Sequence, residues 1–393
     1  TIMDAKTGAL LATATTPSFD PNLRNITNYL DPTISSPYEP GSTMKTFTYM
    51  AAIENGVYNG QETYLSGVYT TTDGTQIGDW DRNGWGVITF DKGYAMSSNV
   101  GVINHMSSAM LREYFKKLGF GRKTGITLPN EEAGKLNFKY ETEIYNAGFG
   151  QGITTTPIQN VKAMTSLTND GMLLEPFIVK KIVDPSTKEV ILKNKRTEIE
   201  RVASSETVAK IIQLMDDCVN GIGNTGSGFR IPSGELIGKT GTAQIASEDG
   251  SGYLSGKEDI ISSFSGIYPK SDPKLIIYAS VKRPSGGSQK PLSNAIKEIV
   301  NNASKYYGND DTATPEIPIT EYEMPSFINK DLESTKTTLT SQGMTYTILG
   351  TGNKVIKQYP EKGDTITNKD TIYLITNDQN LMVPNVTGLS SKV

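Results

Sequence analysis

Ser42-Thr43-Met44-Lys45 sets a hydroxyl and an amine three residues apart, directly after Pro40-Gly41. The apolar spacing that follows predicts a helix from Ser42 through Ile53. It should stop at Gly56, since glycine suits the left-handed position after a helix end. Residues i and i+3 share a helix face, one turn apart, so the amine could take a proton from the hydroxyl. The helix N-terminus would also favour negative charge developing nearby. Taken alone, the motif reads equally as a capping serine followed by an exposed lysine. Ser-x-x-Lys indeed recurs at Ser271-Asp272-Pro273-Lys274, where a proline turn makes it a decoy.

Two further groups stand in order behind Ser42. Ser97-Ser98-Asn99 could do no more than cap a helix starting near Val100. Lys239-Thr240-Gly241-Thr242 lies on a predicted strand and could be an edge-strand turn. A serine nucleophile needs a base, and a Ser-His-Asp arrangement needs a histidine. The chain has one, His105, six residues past Asn99 on an apparent helix, which is a poor candidate. Lysine is then the available base, but its ordinary pKa of about 10.4 is too high for neutral pH. Bringing Lys45 near neutrality costs its charged form about 4 kcal/mol, which burial and a second cation can supply. Lys239 is the obvious second cation. Trp80, between Asp79 and Asp81, reads as core packing before it reads as the wall of a groove.

These residues need a scaffold of mixed type. Residues 2–12 read as strand, turn, strand, and 204–219 as a helix capped by Ser204 or Ser205. A strand leads to Gly238, two more follow near Ile260–Tyr268 and Leu275–Lys282, and a last helix is expected near 291–306. This order suggests α+β, with a sheet covered by helices. Cys218 lies beside the Val208, Ile211, Ile212, Met215 and Val219 stripe, so it is expected to be an inert core thiol. With 36% hydrophobic and 20% charged residues the composition is globular, and the net charge of −4 argues against nucleic acid as a partner. No membrane-length apolar run occurs, and no His/Cys/carboxylate cluster has metal-ligand spacing, so neither metal nor organic cofactor is implied.

The chain divides by character. Residues 1–308 form one expected domain, and a polar, Pro-containing linker covers 309–322. Met324-Pro325-Ser326-Phe327 is echoed by Val383-Pro384-Asn385-Val386. That predicts one complete small module at 323–379 and the truncated start of a second at 380–393.

Ser-x-x-Lys, Ser-x-Asn and Lys-Thr-Gly in this order form the signature of penicillin-binding proteins and serine β-lactamases. With Asp4-x-x-Thr7-Gly8, Pro17-x-x-Asp20-Pro21-Asn22, Glu39-Pro40-Gly41-Ser42, Gly150-Gln151-Gly152, Thr156-Pro157-x-Gln159 and Asn169-Asp170-Gly171, the sequence resembles the class B, monofunctional penicillin-binding proteins. Its tail resembles PASTA modules, as in the septal type of Gram-positive bacteria. The resemblance implies a penicillin-binding/serine β-lactamase-like fold plus small α/β PASTA modules. It implies a peptidoglycan D,D-transpeptidase that forms a Ser42 acyl-enzyme and is acylated by β-lactams. Lys45 and Lys239 would prepare the nucleophile, Ser97 would relay a proton to the leaving amine, and Asn99 would hold Lys45 and a substrate amide. Thr240, Gly241 and Thr242 would line the substrate strand, and the backbone N–H groups of Ser42 and Thr242 would form the oxyanion hole.

By the same resemblance the partners would be stem peptides, β-lactam antibiotics and membrane proteins of the division machinery. The location would be the extracytoplasmic face of the cell membrane, with an anchoring helix upstream of Thr1. A β-lactamase is the nearest rival, but the segment closest to its deacylating glutamate motif, Glu132-Ala133-Gly134-Lys135-Leu136-Asn137, has one residue too many. A D,D-carboxypeptidase would share the same nucleophile and transfer the acyl group to water. A non-catalytic wall-binding or β-lactam-sensing protein would use the tail modules instead.

Overall fold

A computed structural model of the chain describes residues 1–103, 108–136, 138–247, 249–250, 252–307, 321–341, 344–367 and 370–377. Two compact units result, Thr1–Tyr307 and Gly308–Val393. His105, most of the expected linker and the expected second module lie outside the described residues.

In the first unit an antiparallel sheet joins β1 (Ile2–Asp4), β2 (Leu10–Ala12), β3 (Ile237–Gln244), β4 (Ile260–Tyr268) and β5 (Leu275–Lys282). The strand order is β3-β4-β5-β1-β2, which leaves β3 at an edge. Successive side chains of a strand point to opposite faces. Leu275 and Ile277 accordingly join one apolar cluster while Ile276 and Tyr278 join another. Phe264 and Ile267 divide in the same way on β4. The sheet is thus buried on both faces, and this explains why Leu275–Ala279 of β5 reads as a continuous apolar run.

Helices supply both covers. They include α1 (Lys45–Glu54), α2 (Phe90–Ala95), α3 (Val100–Ile103), α4 (Pro157–Thr168), α5 (Ser205–Asn220) and α6 (Lys290–Tyr307). On α6, Leu292, Ile296 and Val300 recur at a spacing of four and pack with Phe264 and Ile277. On α5, Val208, Ile211, Met215 and Cys218 face the other cluster, and the Ser204 hydroxyl accepts from the Thr207 N–H at 3.2 Å as the expected cap. Residues Lys45 to Ala52 of α1 are all buried, so this helix is enclosed on every side.

One expectation needs correction. Ser42 does not begin an α-helix: residues Gly41–Met44 form a 3-10 turn, and α1 starts at Lys45. The cause is local. Gly41 takes φ +60, with the Thr242 carbonyl pressed against the place a Cβ would fill, and so the chain enters the turn tightly wound. The far end agrees with expectation, with Asn55 as the cap and Gly56 at φ +70.

In the second unit, helix Leu332–Ser341 accompanies a mixed sheet of Thr345–Leu349, Thr371–Thr376 and Val355–Tyr359, in that spatial order. Met324, Phe327, Leu339, Val355, Ile372 and Leu374 form its core. Glu321–Glu323 pairs with Thr365–Thr367, so residues 321 and 322, expected in the linker, are part of the folded module.

Cys218 has no solvent exposure. A thiol reagent such as Ellman's should therefore leave the native chain untouched and titrate one thiol on denaturation. Reaction of the native chain at the rate of free cysteine would contradict this packing.

Candidate active site

The turn that carries Ser42 is fastened on three sides. The Gly41 N–H donates to the Gly150 carbonyl at 3.0 Å, and Gly150, at φ +84, has no room for a Cβ against the Gly41 carbonyl. The Pro40 carbonyl accepts from the Thr43 hydroxyl at 2.9 Å and from the Ser263 hydroxyl of β4 at 3.3 Å. Glu39 accepts from the Gly152 N–H and the Tyr253 hydroxyl, each at 3.0 Å, and burial raises its pKa. Side chains at i and i+3 eclipse in a 3-10 turn, so Ser42 and Lys45 are aligned more closely than in an α-helix. Ser42 is half-buried, and among the described residues no group holds its hydroxyl.

Lys45 has no solvent exposure. Its Nζ donates to the Ser97 carbonyl at 2.6 Å and to Asn99 Oδ1 at 2.8 Å, with Ser97 Oγ at 3.4 Å. Lys239, equally buried on β3, donates to Ser97 Oγ at 2.8 Å and to the Thr240 carbonyl at 2.9 Å, with its Nζ 5.7 Å from the centre of the Tyr94 ring. Two lysine amines thus converge on one hydroxyl. An oxygen that accepts from both keeps its own proton free to be given elsewhere.

Burial, then the nearby Lys239, hold the Lys45 pKa well below the ordinary lysine range, against the opposing pull of Asp79 and Cys218. Burial lowers Lys239 to about 8. Ser97 sits at φ +56 in the turn between α2 and α3, a strained position for a side-chain-bearing residue.

The structure brings Lys45, Ser97, Asn99 and Lys239 into one hydrogen-bonded cluster, with Ser42 on the turn that leads into it. Thr240 is buried, its hydroxyl directed to that of Thr225 at 3.2 Å. Gly241 is buried, and a Cβ there would meet the Ser263 hydroxyl. Thr242 is exposed, its hydroxyl accepting from Gln289 Nε2 at 3.2 Å. Since β3 is an edge strand, an extended peptide could add alongside it. The second Ser-x-x-Lys is indeed remote in character: Ser271 bonds Glu235 and Lys274 pairs with Asp272 in an exposed turn.

Trp80 corrects the reading as core. It is 65% exposed, its Nε1 donates to the Met96 carbonyl at 3.0 Å, and its ring lies 5.5 Å from that of Trp85. Sequence reasoning missed Asp79 and Gln289. Neither has a motif of its own, and only the folded chain puts Asp79 against Asn99 and Gln289 against Thr242.

Comparison with known proteins agrees with this geometry. Residues 1–303 match the penicillin binding protein transpeptidase domain and residues 322–378 match the PASTA domain. The chain belongs to the penicillin-binding protein transpeptidase family and carries a PASTA domain. It is 32% identical to Stage V sporulation protein D of Bacillus subtilis, over 96% of this chain and 60% of that protein. It is 27% identical to the peptidoglycan D,D-transpeptidase FtsI of Escherichia coli, over 73% of this chain and 47% of that one. The chain thus spans about half to three-fifths of the length of these relatives. Penicillin Binding Protein 2X from Streptococcus thermophilus superposes with a TM-score of 0.72 at 26% identity, covering 96% of this chain and 58% of that one. Penicillin binding protein 3 of Mycobacterium tuberculosis, complexed with ampicillin, gives 0.69 at 27% identity, covering 81% and 74%.

Gly150→Ala should destabilise the first unit by about 1–3 kcal/mol, because it combines a strained φ with overlap at the Gly41 carbonyl. Urea unfolding measures it, and an unchanged midpoint would contradict the described packing.

Proposed function

We propose that this chain is a serine-type D-Ala-D-Ala transpeptidase of peptidoglycan synthesis, with Ser42 as nucleophile. The observation that carries the reading is the buried Lys45–Ser97–Lys239 cluster at the end of an i, i+3 turn from Ser42. In the proposed sequence Lys45, uncharged, takes the Ser42 proton as the hydroxyl oxygen attacks the carbonyl of the D-Ala-D-Ala bond. The backbone N–H groups of Ser42 and Thr242 stabilise the oxyanion, and losing one such donor typically costs 10²–10³ in rate. Ser97 gives its proton to the departing D-alanine amine and regains one through the lysine cluster. A second stem's amine then attacks the acyl-enzyme, forming the cross-link and releasing Ser42.

Asn99 would orient Lys45 and a substrate amide. Thr240, Gly241 and Thr242 would present β3 to the extended peptide, and the exposed Trp80 ring would wall the groove. β-Lactams would acylate Ser42 in place of substrate, in keeping with the ampicillin complex of a similar protein. The place of action is the outer face of the cell membrane, with membrane proteins of the division machinery as partners and the PASTA module as a wall-binding element. Among the described residues no helix is long and apolar enough to cross a membrane.

Fluorescent penicillin should label the parent chain and release slowly, whereas Ser42→Ala should stay dark. Undiminished labelling of Ser42→Ala would sink the assignment, and release within seconds would favour a β-lactamase. The acylation rate should rise with pH as Lys45 loses its proton, with a midpoint well below that of ordinary lysine. In Lys239→Gln a neighbouring positive charge is gone, so Lys45 holds its proton more tightly and the midpoint should move to higher pH. A midpoint that stays put or falls would contradict the pairing. For the module, residues 321–379 should be retained on purified cell wall above a control domain, and equal retention would argue for a different role.

A further inference from the structure

We propose that Asp79 is a positioning residue for acyl transfer: it clamps the turn carrying Ser97 and Asn99 and thereby sets where Lys45 meets its partners. This inference rests on the reading of Ser42 and Lys45 given above.

Asp79 is a buried carboxylate that, among the described residues, pairs with no lysine or arginine. Such a group is costly to bury unless it is fully hydrogen-bonded. Here it is. Its Oδ1 accepts from the Ser98 hydroxyl at 2.8 Å, the Asn99 N–H at 2.6 Å and the Val100 N–H at 3.0 Å, and its Oδ2 accepts from the Gly67 N–H at 2.9 Å. Capping of α3 alone does not explain this arrangement, because the Ser98 hydroxyl already accepts from the Gly101 N–H at 2.9 Å.

The neighbours of Asp79 complete a three-residue grip. The Gly78 carbonyl accepts from Asn99 Nδ2 at 2.9 Å, which commits that end of the amide and leaves Oδ1 to face Lys45. Trp80 Nε1 holds the Met96 carbonyl on the other side. Residues 78–80 therefore grip residues 96–100 at both ends of Ser97, the residue with positive φ. The Ser97 carbonyl and hydroxyl are what Lys45 and Lys239 bind.

Charge adds a signature that a purely structural clamp would lack. The charged and titratable groups that act on Lys45 are Lys239 from β3, Cys218 from α5 and Asp79. Asp79 and Cys218 favour the protonated amine, against burial and Lys239. Asp79 also acts on Tyr64, whose ionisation is opposed first by burial and also by this carboxylate.

The test is β-lactam acylation against pH, with thermal unfolding in parallel, for the parent chain, Asp79→Asn and Asp79→Glu. Asparagine can keep the three contacts at Oδ1 but loses the charge and the Gly67 contact. Its acylation midpoint should move to lower pH by roughly half a unit or more, with the plateau reduced roughly tenfold. Glutamate keeps the charge but pushes the turn outward, so its plateau should fall roughly ten- to hundredfold with less movement of the midpoint. A parent plateau and midpoint in Asp79→Asn would overturn the proposal. So would equal losses of activity and thermal stability in both variants with the midpoint unmoved. Should the asparagine variant fail to fold, an undiminished plateau in Asp79→Glu would overturn it alone. Absence of acylation in the parent chain is a separate result that removes the Ser42 reading first.

Discussion

Two lysine amines buried around one serine hydroxyl are the constraint on which this molecule turns. Taking a charged amine out of water is expensive, and a second amine nearby raises the cost. The chain meets that cost by giving each Nζ well-placed acceptors and by favouring the uncharged state. Lys45 has the Ser97 carbonyl and Asn99 Oδ1, and Lys239 has Ser97 Oγ and the Thr240 carbonyl. Tyr94 offers its ring face to Lys239, while its own hydroxyl bonds that of Thr46, one residue past Lys45.

The surrounding architecture follows from keeping those amines in place. Lys239 needs a strand that is buried yet at an edge, and the β3-β4-β5 order provides both. Lys45 needs to stand directly under Ser42, and the 3-10 turn aligns the two where an α-helical start would have offset them. Ser97 needs an unfavourable backbone conformation, which persists because its flanks are held by residues distant in sequence. The site is over-determined in the sense that Lys45, Ser97, Asn99 and Lys239 each bond an element other than their own, and the turn carrying Ser42 is fastened from outside.

Much of the fold was legible from the chain itself. Strands β4 and β5 could be read because β-branched and aromatic residues cluster between a turn and a helix, and α5 because its cap and its apolar stripe agree. The reactive residues were legible through their order rather than through any one motif, as the second Ser-x-x-Lys shows. What stayed hidden depends on long-range contact. The 3-10 start goes with a tight approach of Gly41 to Thr242, some two hundred residues away. The burial of Asp79 depends on donors about twenty residues away, and its neighbour Trp80 read as core because tryptophan usually is, whereas here its exposed indole bonds the turn that carries Ser97. The contact of Gln289 with Thr242 joins the approach to α6 to β3.

The protonation of Lys45 is the point at which all of this can be checked without substrate. Its ε-ammonium can be titrated by NMR in the intact chain, with the resonance assigned by its loss in Lys45→Arg. The expected midpoint lies well below the ordinary lysine value of about 10.4. A midpoint at or above that value would show a fully charged amine at neutral pH and contradict its role as the base for Ser42.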